Sequence, residues 1–255
     1  MTTLQPRQIT RKSEVAKIVV ELRKILNADG RNAFLEALQR DLLAHKVKFP
    51  LAEFAARSLM DDFQPGQYAW LVGEAVQERT IPGYVFSAAI LQERLSSELR
   101  WCFRQAEAII IRGDQWYVCD ITSERVFGHG LLVEFARALP IISSNGSHAS
   151  PWMQRSVGVA VHYAVKKGLG RDESNQLFGL LRPLAQRGDY YVKKGVGWGL
   201  KTIARYHPDL VQPVLEDILT DPDVNSWNKK KLQMGLSQAR RDGNLPAQVS
   251  RWPSS

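Results

Sequence analysis

The sequence predicts an all-α protein assembled from repeated helix pairs. Three observations carry that expectation: apolar residues recur at helical spacing along nearly the whole chain, strand-type alternation is almost absent, and breaks between apolar stripes arrive at short intervals.

Val15, Ile18, Val19, Leu22, Ile25 and Leu26 lie on one stripe that Gly30 stops, and Phe34, Leu35, Leu38 and Leu42 form a second. Pro50 opens a segment carrying Leu51, Phe54, Ala55 and Leu59, and Pro65-Gly66 separates it from Tyr68, Leu71, Val72 and Val76. Pro82-Gly83 makes the next break, ahead of Val85, Ala88, Ala89, Leu91 and Leu95. The best strand candidate, Ile109 to Ile111, is too short and too embedded in helical pattern to support a sheet. The stretch from Pro140 to Pro151, rich in Ser, Asn and Gly, reads as the longest irregular segment and as a boundary between helix pairs.

Beyond that stretch the pattern repeats. Trp152 to Lys167 and Asp189 to His207 each begin with an aromatic residue and end in a turn, and each precedes a further helix, Asp172 to Gln186 and Asp209 to Leu219. Helix pairs at a spacing of roughly 35 to 45 residues have the period of HEAT-type repeats. About a dozen helices joined by short turns imply antiparallel neighbours, and a solenoid of such pairs offers a concave binding face. The expected organisation is one elongated domain over 1–255: amino-terminal helices in 1–84, a repeat region at 85–242 and a disordered tail at 243–255.

Charge points to the partner. The chain carries 34 Lys and Arg against 26 Asp and Glu, a formal net charge of +8, which favours a polyanion such as nucleic acid. Hydrophobic residues at 44% and charged residues at 24% exclude a largely disordered chain. Two cysteines, Cys102 and Cys119, without a C-x-x-C pattern indicate neither a disulfide framework nor a zinc site. The first residues lack a signal-peptide core and no stretch has the length of a membrane span, so a cytoplasmic monomer, nucleoid-associated when on DNA and making no membrane contact, is expected.

Common catalytic signatures are missing. His45, His129, His148, His162 and His207 are scattered singly, with no metal-ligand spacing. The run Gly195 to Thr202 has the wrong glycine spacing for a phosphate loop, and no strand precedes it. What remains is aligned by helical geometry: Trp116 with Asp120 and Lys194 with Trp198, four apart, and Trp152 with Arg155, three apart. Glycines 195, 197 and 199 each cost a helix interior about 0.5 to 1 kcal/mol, which implies compensation by close approach of DNA backbone or of a neighbouring helix. Lys166-Lys167, Lys193-Lys194, Lys229-Lys230-Lys231 and Arg240-Arg241 supply the positive charge. Phosphate contacts are expected from Lys193, Lys194, Lys229, Lys230 and Lys231, and a solvated face from Lys166-Lys167.

W-x-x-x-D at Trp116 and Asp120, W-x-Q-R at Trp152 to Arg155, and K-x-x-G-W at Lys194 to Trp198, followed by a basic residue and H-P-D ending at Asp209, resemble in order and separation the HEAT-like-repeat alkylpurine DNA glycosylases of the AlkD-type DNA alkylation repair family. The resemblance runs from about Val85 to Arg241 and leaves 1–84 poorly matched. It implies a cofactor-free enzyme acting on duplex DNA containing alkylated bases. It further implies that Asp120 is the essential carboxylate, Trp116 and Trp198 the paired aromatics, Arg155 the arginine at the lesion and Trp152 a DNA contact, without extrusion of the base into a pocket. A purine alkylated at N3 or N7 is cationic and a good leaving group, so the remaining task is to stabilise the oxocarbenium-like sugar, which a carboxylate and indole faces do. A non-catalytic binder of DNA structures and a protein–protein scaffold are the alternatives that the same scaffold allows.

Overall fold

In the computed structural model, which describes residues 6–245, the chain is all-α. Most of the expected tail, from residue 246 on, lies outside the described residues. Contacts divide the chain into two compact units, Met1–Val126 and Phe127–Ser255. Among the described residues the only β pairing is a two-residue parallel contact between β1 (Gln8–Ile9) and β2 (Lys46–Val47), in unit 1. Among the described residues no helix is long and apolar enough to cross a membrane.

Unit 1 contains α1 (Lys12–Leu38), α2 (Phe49–Met60), α3 (Tyr68–Ala75), α4 (Ile81–Gly113) and α5 (Trp116–Thr122). Gly30 interrupts α1 with a φ of 82°, a left-handed conformation that a side chain disfavours, as the sequence stop at that residue implies. A 3-10 turn at Pro65–Gln67 separates α2 from α3, again as expected. The break anticipated at Pro82-Gly83 falls earlier. Thr80 caps α4, its hydroxyl accepting a hydrogen bond from the Gly83 N–H at 3.2 Å, and Pro82 sits in the first turn, where its missing N–H costs nothing. Ile109 to Ile111 belong to α4. This helix is the spine of the unit: every residue from Pro82 to Leu91 is buried, as in a helix surrounded on all sides, and α2, α3 and α5 pack on it.

Unit 2 contains α6 (His129–Val133), α7 (Phe135–Asn145), α8 (Pro151–Lys166), α9 (Arg171–Leu184), α10 (Tyr190–Tyr206), α11 (Pro208–Val211), α12 (Leu215–Thr220) and α13 (Ser226–Arg241). The irregular stretch expected from Pro140 to Pro151 is shorter, because Pro140 lies inside α7. Its cost of about 3 kcal/mol is offset by burial of the Ala138 and Ile142 face.

The helices α8, α10 and α13 run parallel in one layer. Contacts advance in the same direction along both members of each pair: Arg155 meets Tyr191, Gly158 meets Gly195 and His162 meets Thr202; Gly197 meets Trp227 and Lys201 meets Gly235. The helix α9 returns the chain from α8 to α10, and α11 with α12 return it from α10 to α13. Exposed ion pairs lie near the carboxy-terminal ends of α8, α10 and α13, Arg171 to Asp209 at 2.6 Å and Arg205 to Asp242 at 2.7 Å.

The glycines explain how the layer closes. A Cβ on Gly158 would overlap the Gly195 carbonyl, one on Gly195 would sit 2.7 Å from Arg155 Cγ, and one on Gly199 would sit 2.8 Å from the Gly158 carbonyl oxygen. The compensation anticipated for the α10 glycines is therefore a neighbouring helix.

Candidate nucleic-acid interface

In unit 1, the seven-residue α5 presents Trp116 and Asp120 one turn apart. Its inner face is fixed by buried Val118, Cys119, Ile121 and Thr122. Gly113 lets Val118 approach so closely that an added Cβ would lie 2.6 Å from it. A π-helical turn follows at Ser123–Gly128. From that turn the buried Arg125 donates to Glu53 at 2.9 and 2.8 Å and to the Ile121 carbonyl at 3.2 Å. This part-buried, doubly hydrogen-bonded pair ties the segment that carries Asp120 to α2.

Asp120 is partly buried, whereas Trp116 is 54% exposed. Tyr117 meets Trp116 edge-on at 5.9 Å and Tyr84 at 6.2 Å, giving the exposed indole a row of aromatic support. An indole left in water forgoes much of the roughly 25 cal/mol per Å² that burial would return.

In unit 2, Arg155 and Trp198 flank the Gly158–Gly195 crossing. Arg155 is 7% exposed; its stem lies over Gly195 and its guanidinium donates to the Tyr191 carbonyl at 3.1 Å. Tyr191 also packs on Trp152, ring centroids 4.4 Å apart, and on Tyr190 at 5.2 Å.

One face of Trp198 is covered by His162, with centroids 4.1 Å apart and planes 23° from parallel. The sequence places His162 among the lone histidines and gives no sign of its contact with Trp198. Its Nδ1 lies 2.6 Å from the Thr202 hydroxyl, which donates to the Trp198 carbonyl at 2.9 Å. That hydroxyl has its proton committed, so it accepts from His162 Nδ1–H and fixes the neutral tautomer. Burial first, then Lys166 and Lys201, lowers the His162 pKa to about 4.

The lysines gather around a second residue that sequence reasoning missed, Trp227. Lys194 Nζ lies 3.3 Å from its ring centroid and Lys231 Nζ 4.4 Å. Lys194 and Lys193 also face Tyr190, at 5.2 and 5.6 Å. Burial and the neighbouring Lys201, Lys194 and Lys230 lower the Lys231 pKa. One indole thus organises several like charges whose mutual repulsion an anion relieves. Lys229 differs, since its ammonium donates to the Asp221 carbonyl at 2.6 Å. The aromatic at the start of α13 and the lysine one turn later, Trp227 and Lys231, are the sequence signal by which this cluster could have been found.

Asp120 and Trp116 belong to unit 1 and Arg155, Trp152, Trp198 and the lysines to unit 2. Among the described residues no group of His, Cys, Asp and Glu could hold a metal ion.

A search of curated proteins finds no match to the chain. A family model, that of the DNA alkylation repair enzymes, matches residues 21–235 and so reaches into the amino-terminal helices, well before the Val85 at which the resemblance was expected to begin. With aromatic and cationic side chains displayed on a helical scaffold and most of its length matched, the chain belongs to the DNA alkylation repair enzyme family.

Proposed function

We propose that, within the DNA repair role of its family, this protein is a glycosylase that hydrolyses the N-glycosidic bond of N3- and N7-alkylated purines in duplex DNA. The observation that carries the reading is the pairing on α5 of a partly buried carboxylate, Asp120, with a largely exposed indole, Trp116, on a segment pinned by the Glu53–Arg125 ion pair.

The C1′–N bond breaks with its electron pair leaving on the cationic purine, which departs neutral, and water adds to C1′ with loss of a proton to solvent. Asp120 stabilises the positive sugar and orients the water, acting only as charge develops. Trp116 holds the deoxyribose backbone beside Asp120 in unit 1; in unit 2 the face of Trp198 not covered by His162 lies against DNA backbone. Arg155 keeps Tyr191 and Trp152 in place beside it. Lys194, Lys230 and Lys231 take backbone phosphates, assisted by Lys201, and Lys193 and Lys229 add charge at the edge. The inner helices form a HEAT-like array, a reading supported by the parallel α8, α10 and α13.

Purified protein is expected to release free methylated base from methylated duplex DNA. Asp120→Asn is expected to slow release by about a hundredfold or more, the size of one dominant electrostatic contribution. Unchanged release would remove Asp120 from its role. The Trp227 lysine cluster requires only affinity, which favours as second reading a binder of DNA structures; salt-sensitive duplex binding with no base release would establish it.

A further inference from the structure

Unit 1 contains a cleft of about 230 Å³ between α3 and α4 that the proposed chemistry does not use. Arg79, Arg112, Gln77, Gln105, Tyr84 and Gly73 line it, and no carboxylate does. Among the described residues the side chains of Arg79 and Arg112 have no ion pair or hydrogen bond. Tyr84 is 3% exposed, yet its hydroxyl has no hydrogen-bond partner among the described residues. Burial raises the Tyr84 pKa and keeps the phenol a proton donor, while the nearby Arg79 pulls the other way. Arg79 itself has a φ of 53°, in the left-handed region that an arginine seldom adopts.

Two arginines, a buried tyrosine and two glutamines thus line one cleft, which has hydrogen-bond donors and net positive charge and no carboxylate to neutralise it. We propose that this cleft binds a phosphate group, and that the phosphate is a backbone phosphodiester of duplex DNA. Guanidinium groups grip phosphate oxygens in pairs, and a phenol O–H completes such a site in a partly dry setting. The Tyr84–Tyr117–Trp116 row connects the cleft to the helix that carries Asp120. The assignment rests on DNA being the partner and not on base excision.

The test is binding of an undamaged fluorescent duplex by the full chain across a salt series, a readout independent of base release. Arg112→Gln combined with Arg79→Asn, which tolerates a left-handed φ, is expected to weaken binding about tenfold or more and to lower the salt slope by one to two. Tyr84→Phe is expected to weaken binding severalfold at an unchanged slope. Gly73→Leu keeps every charge but fills the cleft, since a Cβ there meets nothing within 4 Å, and is expected to weaken binding comparably. Arg100→Ala, an exposed charge on α4 outside the cleft, is the control.

Wild-type affinity in Gly73→Leu, or a loss in the double variant no larger per charge than in Arg100→Ala, would overturn the proposal. Titration with inorganic phosphate separates the sources. Phosphate binding that depends on Arg112 while duplex binding does not would overturn the DNA assignment. Circular dichroism confirms that each variant is folded.

Discussion

The two units use glycine in opposite ways. In unit 1, Gly30, Gly83 and Gly113 stand at breaks and ends of helices, and the one glycine inside a short helix, Gly73, faces open space. In unit 2, Gly158, Gly195, Gly199 and Gly235 stand mid-helix, where the backbone of the next helix occupies the space of a side chain. Unit 1 is therefore organised around one long buried helix, and unit 2 around helices pressed together in register. The lesson is that a glycine deep in an amphipathic stripe reports a close-packed parallel neighbour, whereas a glycine at the edge of a stripe reports a turn.

Gly158→Val is expected to break this contrast most sharply. It places a branched side chain against the Gly195 backbone and should destabilise the protein by about 3 kcal/mol or more in urea unfolding. A loss below 1 kcal/mol would mean that α8 and α10 can part without cost.

The pH response of stability comes next. The ordinary histidine value is 6.5, and His162 in the fold lies near 4, so the unfolded chain takes up that proton first as pH falls. The contribution of a neutral, buried His162 is intact above pH 6.5 and is lost progressively towards pH 4, to a total of about 3 kcal/mol. His162→Phe keeps an aromatic on Trp198 and removes the titration, so its stability curve should be flatter by that amount. Parallel curves would show that the ring is not neutral in the fold.

A smaller effect tests the charged edge of unit 2. Lys231→Ala should weaken duplex binding by about tenfold and reduce the salt slope by about one, and Lys229→Ala by less, because Lys229 is engaged by the Asp221 carbonyl. Equal effects would make the lysines a diffuse patch rather than a cluster built on Trp227. The smallest change is a gain: Gly73→Ala in unit 1 should stabilise by roughly 0.5 to 1 kcal/mol, the sign opposite to Gly158→Val.

Helical periodicity made most of the fold legible, since a stripe of Val15, Val19 and Leu22 buries one face whatever surrounds it. Proline was the poorer guide. Pro82 and Pro140 read as breaks, but the first belongs to a helix start that Thr80 caps, and the second is carried through a helix by the burial of its neighbours. The β1–β2 contact joins segments far apart in sequence and leaves no local trace. In the site, pairs on one helix, Trp116 with Asp120 and Trp152 with Arg155, were visible because one turn sets their separation. His162 on Trp198 and Lys194 on Trp227 were not, since those partners come from successive helices of one layer and no spacing rule within one helix connects them.

The packing of Arg155 against Gly195 has a consequence for how variation in this chain will be read. In a saturation survey of single substitutions scored by survival under alkylation stress, position 195 should tolerate as little as position 155, because any side chain there displaces the arginine's stem. The intolerance would come from the position's place beneath Arg155, at a site with no chemistry of its own. Natural exchange at 195 would then need a compensating change on α8, so the two positions should vary together or not at all.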